Sequence, residues 1–521
     1  MVEVLSLVSL TRKTLAATTI FTIVSLTAYG QDAAGPPSQS QVVSLQDSIE
    51  TLQKQTSEMK SVLEEMKAEV LRLRTEASQL RQESEATRQQ LAAAGLLPKD
   101  RSTSAVETPS PAPGELLQNL EEEQELLKAK VEEQHQTKVE SASRYRVRLS
   151  GAVLLNLFRN RGAVDNLDFP GLAVPASPIY PNGSFGASVR QSLLGLEVFG
   201  PQLGGARVSA DIQFDFAGGF PNVPDGVTSG LPRLRTAGVR MAWPRTTLVV
   251  AQDAPFFSPL SPSSIASLAV PAFSYSGNLW TWIPQVRLER RLDLTSNSNI
   301  LLQGGIMDPL TGERPAFQFL RTAQAGEASR QPAYATRISW SRHAFERDIA
   351  VGIGSYYSRQ DWGSHRNVDS WVGTSDWTIP VSERWEVSGE FYRGRAIGGL
   401  GGGIGRSVLF SGAATDPAVQ VKGLNSTGGW TQIKFRHNEK LEWNGAFGQD
   451  NLLARDLRPF PLEQQSYYAS IARNRSSFLN FIYHLRSDVL FSVEYRRHRT
   501  FTIRGDSERA DLMNFSMGVL F

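Results

Sequence analysis

The sequence predicts an all-β transmembrane barrel of about 16 antiparallel strands, preceded by a periplasmic α-helical coiled coil. From Tyr145 onward, segments of about ten residues alternate apolar and polar side chains, which is the period of a strand with one buried face. Before that point, apolar residues recur in steps of three and four, which is the period of a coiled coil. Glycine, arginine and aromatic residues become more frequent where the pattern changes. These observations place the barrel at residues 145–521.

Composition limits the chemistry available to the chain. Its 521 residues contain no cysteine, which excludes disulfides, thiolate metal sites, a cysteine nucleophile and a lipidated cysteine. Residues 1–144 carry 15 Lys and Arg against 21 Asp and Glu, whereas residues 145–521 carry 39 against 31. Of the 39 basic residues, 36 are arginines, which present planar, forked donors.

The N-terminal region predicts an exported protein. Residues 1–30 are interpreted as a signal peptide, because Arg12 and Lys13 precede an apolar run at 15–26 and Ala28-Tyr29-Gly30 offers a cleavage site. A retained membrane anchor is the alternative. Heptads such as Val42, Leu45 and Ile49 predict a coiled coil at 41–94, and therefore oligomerisation, with two or three strands both open.

Two further segments lie between the coiled coil and the barrel. Residues 95–114 contain four prolines and predict an extended linker. Residues 115–140 predict an acidic helix, either a solvated spacer or a binding helix.

Seventeen candidate strands follow, among them 187–199 and 477–485, and both chain ends are expected in the periplasm, which requires an even number. The weakest candidate, residues 465–473, is interpreted as part of an external loop. Sixteen strands leave a water-filled lumen. Aromatic residues near segment ends are expected in interfacial girdles, namely Tyr145, Trp243, Trp280, Trp282, Trp340, Trp377 and Trp430. The short connections predict periplasmic turns at 244–245, 342–347 and 438–440. The long ones predict external loops at 159–186, 307–331, 396–427 and 451–464.

Because side chains alternate between the two faces of a strand, the sequence predicts which basic side chains line the lumen and guide solutes. A row of such charges between low-dielectric walls raises the local concentration of anions. The alternative is that the set pairs with Glu197, Asp211, Glu289, Glu390 and Glu494 and braces the wall. Most members are expected to do so, leaving a minority for solutes. The set comprises Arg146, Arg148, Arg190, Arg207, Arg240, Arg287, Arg337, Lys434 and Arg496.

Residues 253–278 predict a constriction loop inside the lumen. The segment follows the fifth candidate strand, where trimeric general porins fold a loop inward, and its small, apolar and hydroxyl residues suit packing inside a barrel. A surface loop or an oligomer contact is the alternative. The candidate residues are Phe256, Phe257, Ser263, Ser264, Ser267 and Tyr275.

Signals for catalysis are absent from the sequence. The six histidines show no metal-ligand spacing, so no metal, cofactor or catalytic residue is expected and the protein is not expected to be an enzyme. The basic charge lies in amphipathic strands without a separate basic face, so no nucleic-acid partner is expected.

Several short stretches resemble the DcaP-like trimeric outer-membrane porins. They are Val189-Arg190-Gln191-Ser192-Leu193-Leu194-Gly195, Ser276-Gly277-Asn278-Leu279-Trp280 with Pro284-Gln285-Val286-Arg287, and Asn480-Phe481-Ile482-Tyr483 with Ser492-Val493-Glu494-Tyr495. The resemblance implies a homotrimer in outer-membrane lipid and uptake of small anionic solutes such as dicarboxylates. The closing strand at 510–521 resembles the C-terminal signal of outer-membrane barrels, which implies recognition of Phe521 by the barrel-assembly machinery.

Two functions are compatible with these features. The first is an outer-membrane porin for passive diffusion of preferentially anionic solutes through an arginine-lined lumen. The second is a structural envelope protein whose coiled coil contacts peptidoglycan and whose barrel is only an anchor.

Overall fold

The computed structural model describes residues 145–220, 230–313, 320–344, 347–460 and 466–521. The predicted signal peptide, coiled coil, proline-rich linker and acidic helix lie outside these residues. The strands in chain order are β1 Arg146–Arg161, β2 Ser184–Ser188, β3 Leu193–Leu203, β4 Ala206–Asp215, β5 Arg233–Ala242, β6 Thr246–Asp253, β7 Ile283–Thr295, β8 Ser298–Met307, β9 Ala333–Ala344, β10 Arg347–Asp361, β11 Asn367–Pro380, β12 Trp385–Arg395, β13 Val408–Phe410, β14 Val421–Gly423, β15 Asn425–Arg436, β16 Leu441–Leu452, β17 Ile471–His484, β18 Val489–Thr502 and β19 Ser507–Leu520.

In the part of the chain that the structure describes, three short α-helices lie in the connections: α1 Ala325–Ala328, α2 Ala454–Leu457 and α3 Tyr467–Ser470. Among the described residues, no helix is long and apolar enough to cross a membrane.

The strands close into an antiparallel barrel. Neighbours along the chain pair with each other, and β19 returns to β1 with Ala152 opposite Leu520 and Arg161 opposite Asp511. The sheet has 17 strand segments, but β2 and β3 both pair with β1 and share one position, so the barrel has 16 positions. The predicted fold class is confirmed for the barrel. β13 and β14 form a separate two-stranded ribbon.

Two predicted strand boundaries need correction. The strand expected at 187–199 is interrupted between Ser188 and Leu193, where Ser192 N–H donates to Val189 O at 3.0 Å. Residues 465–473 were expected in a loop, and Tyr467–Ser470 does form a helix there. The last three residues of this segment, Ile471 to Arg473, instead begin β17, which is therefore longer than predicted.

The barrel is apolar outside and polar inside. On β19, Met513, Phe515 and Met517 are exposed, whereas Asn514 and Ser516 are each 1% exposed on the lumen side. This inverts the arrangement of a water-soluble protein and is typical of closed barrels whose apolar outer face is solvated by lipid.

Connections of very different length lie at the two ends. At one end the turns are short, as at 243–245 between β5 and β6, and β1 begins and β19 ends there. At the other end lie the long connections, including residues 162–183 and 396–424. Of the expected girdle residues, Trp340 and Trp377 flank Val351 on the exterior. Trp430 is 3% exposed and faces the lumen. The Trp282 ring lies 4.9 Å from the guanidinium carbons of two arginines on β5 and 5.6 Å from the Trp280 ring, so the predicted positions of these three tryptophans are wrong.

Candidate functional site

Residues 254–282, which connect β6 to β7, fold into the barrel; we call this segment the lumen loop. Phe257 is fully buried, and its ring lies 5.4 Å from that of Tyr356 on β10. The Phe257 carbonyl also accepts a hydrogen bond from Thr374 Oγ1 on β11 at 2.5 Å. The loop therefore packs against strands far from its own two ends.

Carboxylates and amides of the wall hold the outgoing limb of the loop. Glu390 on β12 accepts hydrogen bonds from Ser258 Oγ at 2.8 Å and Leu260 N at 2.7 Å. Gln432 on β15 accepts from Ser263 N at 2.7 Å. Glu494 on β18 accepts from Ser264 Oγ at 2.6 Å. The loop therefore runs along the lumen face from β12 to β18, with its backbone and hydroxyl groups satisfied by the wall.

The tip of the loop is held by residues beside the interruption between β2 and β3. Gln191 Nε2 donates to Ala266 O at 3.0 Å, and its Oε1 accepts from Leu268 N at 2.8 Å and Ala269 N at 3.1 Å. Gln191 is fully buried. The interruption frees this side chain from strand alternation and lets it reach the loop.

Two arginines of β5 complete the attachment of the tip. Arg233 Nη2 donates to Ala269 O at 2.6 Å, and Arg235 Nη1 donates to Leu268 O at 2.7 Å. The register of β5 shifts between its pairs with Gln213 and Phe214. Because of this bulge, the alternation of inward and outward side chains along β5 shifts by one residue. Thr236 therefore faces the lumen together with Arg233 and Arg235.

The returning limb lies against β16 and β17. Ser276 Oγ is 2.7 Å from Ser476 Oγ, and Asn474 Nδ2 donates to Tyr275 O at 3.0 Å. Gly277 has a φ of +101°, and a Cβ there would lie 2.3 Å from Gly429 O and 2.5 Å from Gln449 O. Only glycine fits this close approach.

All six predicted constriction residues lie on the lumen loop, but their contacts are with the wall. Phe256, Phe257, Ser264 and Ser267 are buried, and Ser263 bonds to Gln432 and Asn480. Tyr275 is half-buried beneath the 162–183 connection, where burial and the nearby Asp165 carboxylate raise the pKa of its hydroxyl. These side chains fix the course of the loop along the wall.

Three predicted lumen arginines are buried and paired. Arg337 forks onto Asp376 at 3.0 and 2.7 Å, and Arg496 lies 2.5 Å from Glu494. Arg287 Nε donates to Glu289 at 2.7 Å. The exposed fraction is 8% for Arg337, 2% for Arg496 and 6% for Arg287, so their charges are paired with carboxylates of the wall. This matches the bracing alternative for these members of the set.

Other members of the set also have partners. Lys434 Nζ is 3.4 Å from Glu442, and Arg148 forms an ion pair with Glu197. Arg190 lies at the strand interruption, where it pairs with Asp168 at 3.1 Å and its guanidinium carbon stacks 4.3 Å from the Phe220 ring centroid. The expected arginine partner of Glu390 is wrong, since this carboxylate accepts from the lumen loop instead.

The remaining arginines lie near the short-turn ends of β1, β4 and β5, below the point where the loop tip meets β5. We call this part of the lumen wall the uncovered side. Arg146, Arg207 and Arg240 are exposed, and the side chains of Arg148 and Arg240 are 52% and 45% exposed. Nearby carboxylates are more covered, with Glu197 at 28% and Glu289 at 13%, although Asp211 is exposed. A recess of about 120 Å³ beside Arg240 is lined by Asp211, Thr236 and Asp253.

Within the described ranges, no group of three or more His, Asp or Glu side chains could hold a metal ion. Sequence reasoning missed Gln191, Arg233 and Arg235 as loop-holding residues. Gln191 was part of a noted motif but no local pattern assigned it a contact, and the bulge that turns Arg233 and Arg235 inward leaves no periodic signal.

No protein-family model and no curated protein matches the chain. Among solved structures, the outer-membrane channel DcaP of Acinetobacter baumannii matches 73% of this chain and 99% of its own, at 16% identity and a TM-score of 0.53. The chain resembles DcaP in fold. An anion-selective porin from Comamonas acidovorans and OmpT of Vibrio cholerae each share 8% identity, cover 72% and 73% of this chain and 100% and 99% of their own, and have TM-scores of 0.44 and 0.42.

Proposed function

We propose that the protein is an outer-membrane channel for passive diffusion of small, preferentially anionic solutes such as dicarboxylates. The observation that carries this proposal is the division of the lumen wall. The lumen loop lies along the wall from β10 to β18, and its tip reaches Arg233 and Arg235 on β5. Arg148, Arg207 and Arg240 lie nearer the short-turn ends of β1, β4 and β5 and stay exposed. A polar passage along exposed arginines fits hydrated anions, because arginine binds carboxylates through two parallel hydrogen bonds.

The apolar exterior supports a location in the outer membrane, with the short turns and both barrel ends on the periplasmic side. The fold similarity to DcaP, described as an outer-membrane channel, agrees with this. We further propose a homotrimer, with the N-terminal helical region in the periplasm. The closing strand that ends at Phe521 would be the segment recognised during assembly.

Exposure decides which arginines guide solutes. A charge that is buried and paired contributes little field to the passage, whereas an exposed charge between low-dielectric walls attracts counter-ions. Arg207 and Arg240 lie on the neighbouring strands β4 and β5, with Ser209 opposite Arg240 in the register. These two side chains are the proposed selectivity pair.

The test is a planar-bilayer recording of the purified full chain under a salt gradient. We expect a reversal potential with the sign of anion preference, and a shift toward zero in Arg207→Gln/Arg240→Gln. Arg290→Gln is the matched control. Arg290 carries the same charge on the same half of the barrel, but its side chain faces away from the lumen and donates a hydrogen bond to Thr246. Cation preference in the unaltered chain would overturn the proposal.

The attachment of the lumen loop favours a second candidate, a barrel that only anchors the chain in the envelope. Hydrogen bonds from Gln191, Glu390, Gln432 and Glu494 fix the loop on widely separated strands. If this loop closed the passage, a folded barrel would conduct no current. The same recording therefore distinguishes the two functions.

A further inference from the structure

A belt of arginines lies on the outside of the barrel at the end that carries the long connections. It occupies β17, β18, β19 and β1. Its members alternate with side chains that are buried on the lumen side, such as Asn474, His498 and Ala510, so they point outward. The arginine belt comprises Arg159, Arg161, Arg473, Arg475, Arg497, Arg499 and Arg509.

The belt holds far more positive than negative charge. On the outward faces of these four strands, Asp511 is the one carboxylate among the described residues. It already lies 2.7 Å from Arg497 and 2.9 Å from Arg509, and it accepts from Tyr495 Oη at 2.7 Å. A single carboxylate cannot neutralise seven guanidinium groups.

Three of these arginines face one another across neighbouring strands. Arg475 is directly opposite Arg499, and Arg499 is directly opposite Arg509. Directly opposed side chains have Cβ atoms about 5 Å apart, and like charges in such positions are destabilising. The guanidinium carbons of Arg475 and Arg499 lie 5.5 and 4.7 Å from the Phe501 ring centroid, which holds them beside one another. The close approach of these three like charges therefore favours a bound counter-anion.

The exterior below the belt is apolar. Along β18 the outward residues before Arg497 are Val493 and Tyr495, and along β19 those after Asp511 are Met513 and Phe515. Successive outward residues are about 7 Å apart along a strand. A ligand that contacts both surfaces has an anionic head and an apolar tail.

We propose that the arginine belt binds the phosphate headgroup of an outer-leaflet lipid, with its acyl chains along the apolar band below. The proposal rests on the membrane placement given above but not on conduction. Arginine suits this ligand because its planar fork makes paired hydrogen bonds to phosphate oxygens.

The charge on the rest of the exterior favours a lipid over a second copy of the chain. On the outward faces of the other described strands, the carboxylates are Asp361 and Asp369. Asp369 is directly opposite Arg359 in the register and accepts from Tyr357 Oη. The outward faces of the strands that the structure describes therefore present no acidic surface that could receive the belt of a neighbouring copy.

The test is native mass spectrometry of the full chain, purified in detergent and titrated with lipid A, a bis-phosphorylated acylated disaccharide. We expect the unaltered chain to retain lipid A, and Arg475→Gln/Arg499→Gln/Arg509→Gln to bind it at least tenfold more weakly. Arg359→Gln, which alters an outward arginine opposed by a carboxylate, is expected to bind normally. Heat-modifiable electrophoretic mobility confirms that each variant is folded, and a change of one belt arginine at a time serves if the triple variant does not fold.

Two further measurements separate the headgroup from other ligands. Dephosphorylated lipid A should bind as weakly to the unaltered chain as lipid A does to the triple variant, and millimolar inorganic phosphate should not displace lipid A. Equal binding of both lipids, or displacement by inorganic phosphate, would overturn the proposal. So would a loss of oligomers in the lipid-free triple variant, which would assign the belt to a protein interface. Loss of lipid binding with unchanged conductance would leave the channel proposal intact.

Discussion

The two sides of the lumen use the same residue types in opposite ways. On the side that the lumen loop covers, Arg337 and Arg496 are almost completely buried and are held by Asp376 and Glu494. On the uncovered side, the Arg240 side chain is 45% exposed and lies 3.9 Å from Glu289. The difference shows that an arginine on the lumen face of a strand does not necessarily contact solutes. The path of the lumen loop decides which of these charges remain exposed to the lumen.

The largest expected effect is the loss of a charge on the covered side. Arg496→Ala removes the partner of Glu494, which is itself 1% exposed. Breaking a buried ion pair costs about 3–5 kcal/mol, because the remaining charge is left uncompensated. We expect the free energy of unfolding, measured by denaturant titration in detergent, to fall by this amount.

Arg240→Ala is the matched change on the uncovered side. An exposed ion pair contributes about 0–1 kcal/mol, so this variant should unfold close to the unaltered chain. Similar losses in the two variants would remove the distinction between the two sides.

The next effect concerns the tip of the lumen loop. Gln191→Ala leaves the N–H groups of Leu268 and Ala269 without their acceptor. A buried unsatisfied group costs about 1–3 kcal/mol, and the half-buried Leu268 N–H should cost about 1 kcal/mol. We therefore expect a loss of about 2–4 kcal/mol and increased noise in single-channel current. Gln213→Ala, on the lumen face of β4, should change stability by less than about 0.5 kcal/mol. A quiet channel with normal stability in Gln191→Ala would show that the tip is held elsewhere.

Salt should act only on the uncovered side. The Debye length falls from about 10 Å at 0.1 M to about 3 Å at 1 M, so exposed arginines lose their influence on ions while buried pairs keep theirs. We expect anion preference in bilayer recordings to decline over this range, with no loss of barrel stability. Anion preference that is constant from 0.1 to 1 M salt would place the selective charge in a buried position.

The smallest effect concerns the outer end of the covered side. Burial raises the pKa of Asp165 to about 6, against opposing hydrogen bonds from the N–H groups of Gly171 and Leu172. Because the folded-state pKa lies above the unfolded value of 3.8, ionisation disfavours the folded connection. Its stability should therefore be highest below about pH 4, fall as the pH rises to about 6, and be constant above that.

Limited proteolysis of the 162–183 connection between pH 4 and 7 measures this dependence. Asp165→Asn should abolish it, because the amide does not titrate. A steeper dependence in Asp165→Asn than in the unaltered chain would assign the titration to another group.

Much of the barrel could be predicted from the sequence because strand alternation is local. The pattern around Met513, Phe515 and Met517 identifies the exterior of β19 without any knowledge of its neighbours. Requiring both chain ends on one side then gave the correct strand number, even though the boundary at Ile471 was misplaced. The lumen loop could be located because charged residues are scarce in it.

The division of the wall could not be predicted because it depends on contacts between distant parts of the chain. Leu260 and Glu390 are 130 residues apart, and Ser264 and Glu494 are 230 apart. The local alternation of residue types along the sequence contains no signal for a contact between such distant residues. The bulge beside Arg235 and the interruption at Gln191 also break the alternation on which parity assignments rest.

The most direct test of the divided wall uses single cysteines, since the chain contains none. Ser209→Cys lies on the uncovered face opposite Arg240, and Ser492→Cys lies on the covered face at a position that is 1% exposed. A charged thiol reagent added during bilayer recording should reduce the current of Ser209→Cys and leave that of Ser492→Cys unchanged. Reduction at Ser492→Cys with none at Ser209→Cys would contradict the account.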